Sequence, residues 1–96
     1  MRSQLRIYAI KDGQLDEFVD FWRAEIVPLR RRFGFHVAGA WADPETRSFA
    51  WVLAHPDFEQ AAADYYASPD RSALSRDPGD FIESSELRML DPVDPA

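Results

Sequence analysis

The stretch from Phe35 to Ala54 carries apolar or very small side chains on both of its alternating sets, and this limits what can surround it. Phe35, Val37, Gly39 and Trp41 would share one face of a strand, with Ala38, Ala40 and Ala42 on the other. Beyond the joint Asp43-Pro44-Glu45-Thr46-Arg47, whose Pro and Asp suit a type I turn, Phe49, Trp51 and Leu53 alternate with Ala50, Val52 and Ala54. An antiparallel sheet with one wet face alternates apolar with polar residues. This hairpin does not, so both of its faces need cover. Two short helices can cover one face, and a second copy of the same sheet is the simplest cover for the other.

The flanking segments supply those helices and two more strands. Gln4 to Ile10 reads as a strand, with Leu5, Ile7 and Ala9 on one face and Arg6, Tyr8 and Ile10 on the other; Asp12-Gly13 ends it. From Gln14 to Phe33 the period changes. Leu15, Phe18, Val19, Trp22, Ile26, Leu29 and Phe33 recur at three- and four-residue steps, the spacing of an amphipathic helix that Gly34 stops. Pro28 removes a helical hydrogen bond and disfavours helix at Val27, which predicts a kink or a break there. The run Arg30-Arg31-Arg32 falls where cations favour the helix C-terminal dipole, a local anion contact being the alternative.

After Pro56-Asp57, a second helix is expected over Phe58 to Ala67, with Phe58, Ala61, Ala62 and one ring of Tyr65-Tyr66 inward, the other ring covering the segment Ser68 to Gly79, and Ser68-Pro69-Asp70 breaking it. A helical turn over Arg71 to Ser75 and the stretch Asp77-Pro78-Gly79-Asp80 lead to a last strand, Ile82 to Leu90. The expected organisation is one α+β domain over residues 1–90, followed by a loose tail, 91–96.

Composition excludes several classes of function. There is no cysteine, hence no disulfide, thiolate nucleophile or zinc-thiolate site. A net charge of −6 is the wrong sign for a phosphate backbone, so no nucleic-acid partner is expected. No signal-peptide pattern or membrane-length apolar run is present, and cytoplasmic residence without a membrane partner is the expectation. Asp12, Asp16 and Asp20, and likewise Asp57 and Glu59, lack a histidine at ligand spacing and read as solvated surface, so no metal is expected. Ser-His-Asp, HExxH and glycine-rich phosphate-binding patterns are missing.

The order β-α-β-β-α-β is the split ferredoxin-like motif, predicting a four-stranded antiparallel sheet. Along it, Leu5-Arg6-Ile7-Tyr8, Gly13-Gln14-Leu15-Asp16-Glu17-Phe18, Pro28-Leu29-Arg30 running into Gly34-Phe35, Gly39-Ala40-Trp41 and Leu53-Ala54-His55-Pro56-Asp57-Phe58-Glu59 resemble the NIPSNAP family of the dimeric α/β barrel superfamily, over residues 4–90. The resemblance implies a homodimer whose sheets face one another and a cavity in each protomer. It brings no settled activity, since the superfamily includes cofactor-free monooxygenases, isomerases, haem-binding proteins and members without known function.

His36 and His55 are the only histidines. If the hairpin closes with Asp43 against Ser48 they stand opposite each other; a one-residue slip sends them to opposite faces. His36 is the candidate general base, Arg6 the candidate anion holder and Tyr8 the candidate proton donor. Against these roles stand partly solvated strand ends for both histidines, with His55 serving the turn into the second helix. For Arg6 the alternatives are an ion pair with Glu83 or Glu86 across the dimer, or an outlet to solvent. Trp22, Trp41, Trp51, His55 and Tyr65 are candidates for lining a ligand site, the tryptophans alternatively being core or dimer interface. The segment Ser68 to Gly79 would make a lid.

Three functions compete. The leading one is a cofactor-independent enzyme, of monooxygenase, isomerase or cyclase type, acting on a small hydrophobic or aromatic metabolite. The others are a non-catalytic protein binding haem or a metabolite, and a structural or partner-binding dimer without a cavity. No cofactor is expected in the leading reading.

Overall fold

The computed structural model describes residues 1–96. Four strands, β1 (Arg2–Ile10), β2 (His36–Asp43), β3 (Ser48–His55) and β4 (Ile82–Leu90), form one antiparallel sheet in the order β2-β3-β1-β4. The helical connections α1 (Leu15–Phe21), a π-helical segment (Trp22–Ile26), α2 (Val27–Arg32), α3 (Phe58–Ala67) and the single turn α4 (Pro69–Ser72) complete the expected β-α-β-β-α-β order, before a 3-10 turn at Pro78–Phe81. The molecule measures 37 × 36 × 19 Å, its short dimension being one sheet layer plus one helix layer. No helix is long and apolar enough to cross a membrane.

Alternation along β1 and β3 sends Tyr8, Ile10, Phe49, Trp51 and Leu53 to the helices, where all five are buried. There they meet Phe18 and Trp22 in an edge-to-face network. Phe18 lies 5.1 Å from Phe49 at 77°, and Trp22 lies 5.5 Å from Trp51 at 83°. Each such pair adds about 0.5–1.5 kcal/mol beyond its buried area. The opposite face carries Leu5, Ile7, Ala50 and Val52, all only half-buried, and Trp41, which is 61% exposed. The doubly apolar character therefore holds at the middle hairpin, and on β1 it is the outer face that is apolar, since Gln4 and Arg6 turn to the helices. On the edge strand β4, Glu86 stands opposite Ile7 and Arg88 opposite Leu5.

The register of the hairpin corrects one expectation. Asp43 pairs with Ser48 as predicted, but a bulge between Val37 and Gly39 shifts the remaining pairs by one. Val37 therefore faces the helices opposite Leu53. Gly39 and Trp41, opposite Val52 and Ala50, face away. The four residues expected on one face are divided between two, and the Trp41 ring folds back over Gly39.

Pro28 does not break its helix. The segment just before it widens instead: the Val27 N–H reaches back five residues to the Trp22 carbonyl, and helical dihedrals continue through Ile26 and Val27. This wider turn sets the phase of everything after it. In an ideal α-helix, four-residue steps overrun a full turn by about 40°, so Arg30 would lie roughly 120° round the helix from Phe18. The π segment takes much of that rotation back. Phe18, Trp22, Ile26 and Arg30 consequently form one stripe facing the sheet.

The helix ends at Gly34, whose φ of +83° belongs to the left-handed region that glycine occupies without strain. An added Cβ would also stand 3.0 Å from His55 Nε2. Gly34→Ala is expected to lower unfolding stability by about 1–2 kcal/mol, read as a shifted urea midpoint at constant slope. An unchanged midpoint would contradict this account of the helix end.

Candidate functional site

A narrow cavity of about 30 Å³, partly open to solvent, lies between the sheet and the helices. β1 supplies Arg6 and Tyr8 to it, β3 supplies Trp51, and the helical stripe supplies Phe18, Trp22, Ile26 and Arg30. Tyr65 and Tyr66 come from α3, and the turn α4 adds Arg71. Exposed polar contacts hold the covering segment down: Arg32 to Asp70 at 3.0 Å, the Ser75 N–H to Glu25 at 2.8 Å, and Arg76 to Glu17 at 2.9 Å.

The electrostatics of this cavity are unusual for an acidic protein. Three arginines line it and no carboxylate does. Arg30 is 3% exposed and lacks an acidic partner. Its guanidinium lies 3.8 Å above the Tyr65 ring centre and donates to the Tyr66 hydroxyl at 3.0 Å. Arg6 donates from Nε to the Tyr8 hydroxyl at 2.6 Å and from Nη1 to Gln4 Oε1 at 2.8 Å. Trp51 also donates to that hydroxyl, at 3.1 Å. With two donors already on its oxygen, Tyr8 keeps its own proton free to give. Arg30 Nε, Arg71 Nε and Trp22 Nε1 are buried donors with no acceptor in the protein.

Charge and burial shift the ionisation of these groups. Burial lowers the Arg30 pKa and neighbouring Arg6 adds to this, while Tyr66 and Tyr65 offset only part. Arg6 moves the other way: burial lowers it, but Tyr8 and Tyr66 outweigh that, and its pKa rises. Burial pushes the Tyr66 phenol up, yet Arg30 and Arg6 prevail and its pKa falls below the ordinary 10.0. Tyr65 is raised, chiefly by burial. Two adjacent tyrosines are thus driven apart, a pattern associated with acid–base sites.

Of the residues singled out from sequence, the cavity brings together Arg6, Tyr8, Trp22, Trp51 and Tyr65. His36, the expected base, is not among them. The bulge places it opposite Ala54, exposed on the face turned away from the helices, so it cannot act with Arg6 and Tyr8 of its own protomer. Trp41 lies on that outer face too. His55 is on the helix side but outside the cavity, where its Nδ1 accepts the Asp57 N–H at 2.9 Å and its Nε2 lies 3.2 Å from the Phe33 carbonyl. Those partners require a neutral ring protonated at Nε2, holding together the end of α2 and the start of α3. Neither imidazole reaches the cavity, so a histidine-ligated haem does not fit it. No cluster of three or more His, Asp or Glu side chains is placed to hold a metal ion. Arg6 faces the helices rather than Glu86, which lies on the other face, and Glu83 approaches Arg47 instead at 3.9 Å.

Arg71 is a site residue that the sequence did not single out; Arg30 entered only within a run open to a local anion contact, and Tyr66 only as a ring that could face inward or cover the segment Ser68 to Gly79. Arg30 sits in a run that reads as a solvated helix end, and only the widened turn carries it inward. Pro28 was the one available signal, because a proline within a helix often comes with a local change of pitch. Tyr66 is 48% exposed, which suits a surface ring, but its hydroxyl turns back to Arg30.

A ferredoxin-like α+β domain with a cationic, aromatic-walled cavity between sheet and helices is the class of protein this geometry defines. Solved NIPSNAP structures share the fold. An uncharacterized NIPSNAP domain protein from Burkholderia xenovorans is 20% identical with a TM-score of 0.86, the match covering 100% of this chain and 98% of that one. A NIPSNAP family protein from Agrobacterium tumefaciens is 19% identical with a TM-score of 0.85, covering 99% and 95%. An antibiotic biosynthesis monooxygenase is similar as well, at 17% identity and a TM-score of 0.72, covering 98% and 100%. No family model matches the sequence, and no curated protein does. The ferredoxin-like α+β fold expected for the protomer is the fold observed.

Proposed function

We propose that the protein is a homodimeric, cofactor-independent enzyme that moves a proton on a small aromatic or hydrophobic metabolite held in this cavity. One observation carries the reading: the Tyr66 hydroxyl accepts from Arg30 at 3.0 Å in an aromatic-walled cavity that also holds Arg6 and no carboxylate, an arrangement that favours its ionised form. Tyr66 as phenolate would take a proton from an acidic C–H, and the electron pair left on carbon would pass to the neighbouring carbonyl oxygen. Arg6, beside Tyr66 in the same cavity, then stabilises the enolate. Oxygenation, isomerisation and ring closure can each begin from that anion. The monooxygenase among the structural neighbours is consistent with this chemistry.

A neutral benzylic ketone with an acidic C–H, such as 2-tetralone, tests the proposal. Solvent deuterium should enter its benzylic carbon faster with the protein than in buffer, and Tyr66→Phe should slow the catalysed exchange by about 10²-fold or more. Because the deprotonated phenol is the active form and its pKa is depressed, the rate should climb with pH along a limb centred below 10.0. Exchange no faster than in buffer, or unaffected by Tyr66→Phe, would rule the reading out.

The dimer would form through the outer sheet face. Besides its apolar residues, that face carries Glu86 and Arg88, hydrogen-bonded to each other at 2.8 Å on the edge strand. An adjacent pair of opposite charges is self-complementary under a two-fold axis, which sets each residue against its opposite in the partner.

A further inference from the structure

The buried cations have a consequence beyond proton transfer, one that rests on the small-molecule reading of the cavity and narrows it. A buried charge without a counter-ion is among the costliest things a fold can contain, and buried donors are ordinarily paired. Here Arg30 is almost wholly enclosed without a carboxylate partner, and Arg6 and Arg71 line the same space. Three donors along it, Arg30 Nε, Arg71 Nε and Trp22 Nε1, are unclaimed, and Tyr8 has a proton to offer. We infer that the cavity recognises a small aromatic monocarboxylate, its carboxylate seated deep among Arg30, Arg71, Trp22 and Tyr8 and its ring toward the open side.

The count of donors favours carboxylate over other anions. A carboxylate is acceptor-only, with about four lone-pair sites on two oxygens, and four donors are free around this cavity. Guanidinium forks match its planar geometry. The cavity is narrow, about 30 Å³, which suits a flat two-oxygen head. Tyr65, Tyr66 and Pro78 also line the cavity, Tyr66 half-exposed, and offer apolar surfaces suited to a ring. Arg71 rides on α4, within the segment tied down by the Asp70, Ser75 and Arg76 contacts. The same cover that closes over the ring therefore brings in the third cation.

The test compares benzoate with benzamide, its neutral isostere, and with inorganic phosphate, on the full chain at pH 7 and constant ionic strength. Binding is followed through the three indole N–H resonances in ¹⁵N-correlated spectra, with Trp22→Phe assigning its own peak. Benzoate should bind about tenfold or more tightly than benzamide and move the Trp22 resonance downfield, leaving that of Trp41, on the opposite face, in place. Arg71→Gln, at a partly exposed position outside the packed core, should weaken benzoate about tenfold and change benzamide by less than about twofold. Benzamide binding as well as benzoate would overturn the carboxylate inference and leave the aromatic small-molecule reading standing. Binding by neither would overturn both. Phosphate competing on equal terms with benzoate would overturn the carboxylate assignment in favour of a general anion site.

Discussion

Replacing Arg30 with methionine is expected to make the ligand-free protein more stable, by about 1–2 kcal/mol, because removing a buried ion without leaving a charged partner behind is commonly neutral or stabilising. In a domain of this size that corresponds to a rise of about 5–10 °C in melting temperature. The Arg30 guanidinium is enclosed, burial lowers its pKa, and Arg6 opposes its charge. Against this, the substitution removes one hydrogen bond to Tyr66, whose half-exposed side chain can turn to water, and the stack on Tyr65. Methionine keeps the length and packs well against aromatic rings, so little cavity should open. The same variant should lose the melting-temperature increase that benzoate gives the wild type. Gain of stability together with loss of response is the mark of a residue kept for binding rather than for folding. A fall of several degrees in the ligand-free melting temperature would show instead that the Tyr65 stack makes Arg30 a net stabilising element.

The second large effect is expected at Val52. It lies in the middle of the outer sheet face, between Leu5 on β1 and Gly39 on β2. In the protomer it is half-buried, and in the proposed dimer it would be covered. An aspartate there would bring a carboxylate into an apolar contact, and a two-fold interface contains the substitution twice. At several kcal/mol for each unpaired buried charge, the pair of substitutions should weaken association more than a thousandfold. Light scattering should then give twice the 11.0 kDa chain mass for the wild type and 11.0 kDa for Val52→Asp, with the far-ultraviolet spectrum preserved because the helix-side core is untouched. A wild type that scatters as an 11.0 kDa monomer at high concentration would refute the dimer, and a fully dimeric Val52→Asp would place the interface elsewhere.

Legibility followed the range of the interaction. Elements whose signal is local were readable: α3 runs from Phe58 to Ala67 and β4 from Ile82 to Leu90, both at the boundaries expected from period and turn residues. That Arg6, Tyr8 and Ile10 share one face followed from alternation alone. That this face turns to the helices, and that Trp51 donates to Tyr8 there, came from the tertiary structure. The misreadings share one cause, a single residue inserted into a regular repeat. At Ala38 the insertion is a bulge, which sent His36 to one face and left His55 on the other. At Trp22–Ile26 it is a π turn, which brought Arg30 inward from a run of three arginines that looks uniformly solvated. A repeat read from sequence carries its phase forward unchanged, so one extra residue misplaces everything beyond it.

The chain by itself determined which residues must leave water, the order of its strands and helices, and that the middle hairpin has two apolar faces. Those properties are sums over many side chains, and no single shift of phase cancels them. Tertiary structure decided which polar groups ended up together. Arg6, Arg30 and Arg71 come from a strand, a helix and a surface turn with no sequence relation among them. They converge because helix pitch and sheet register, set by packing against Phe18, Trp22 and Trp51, bring them to one cavity. Burial of apolar area is additive and tolerant, whereas the meeting of three cations depends on angles and registers that exist only once the core has closed.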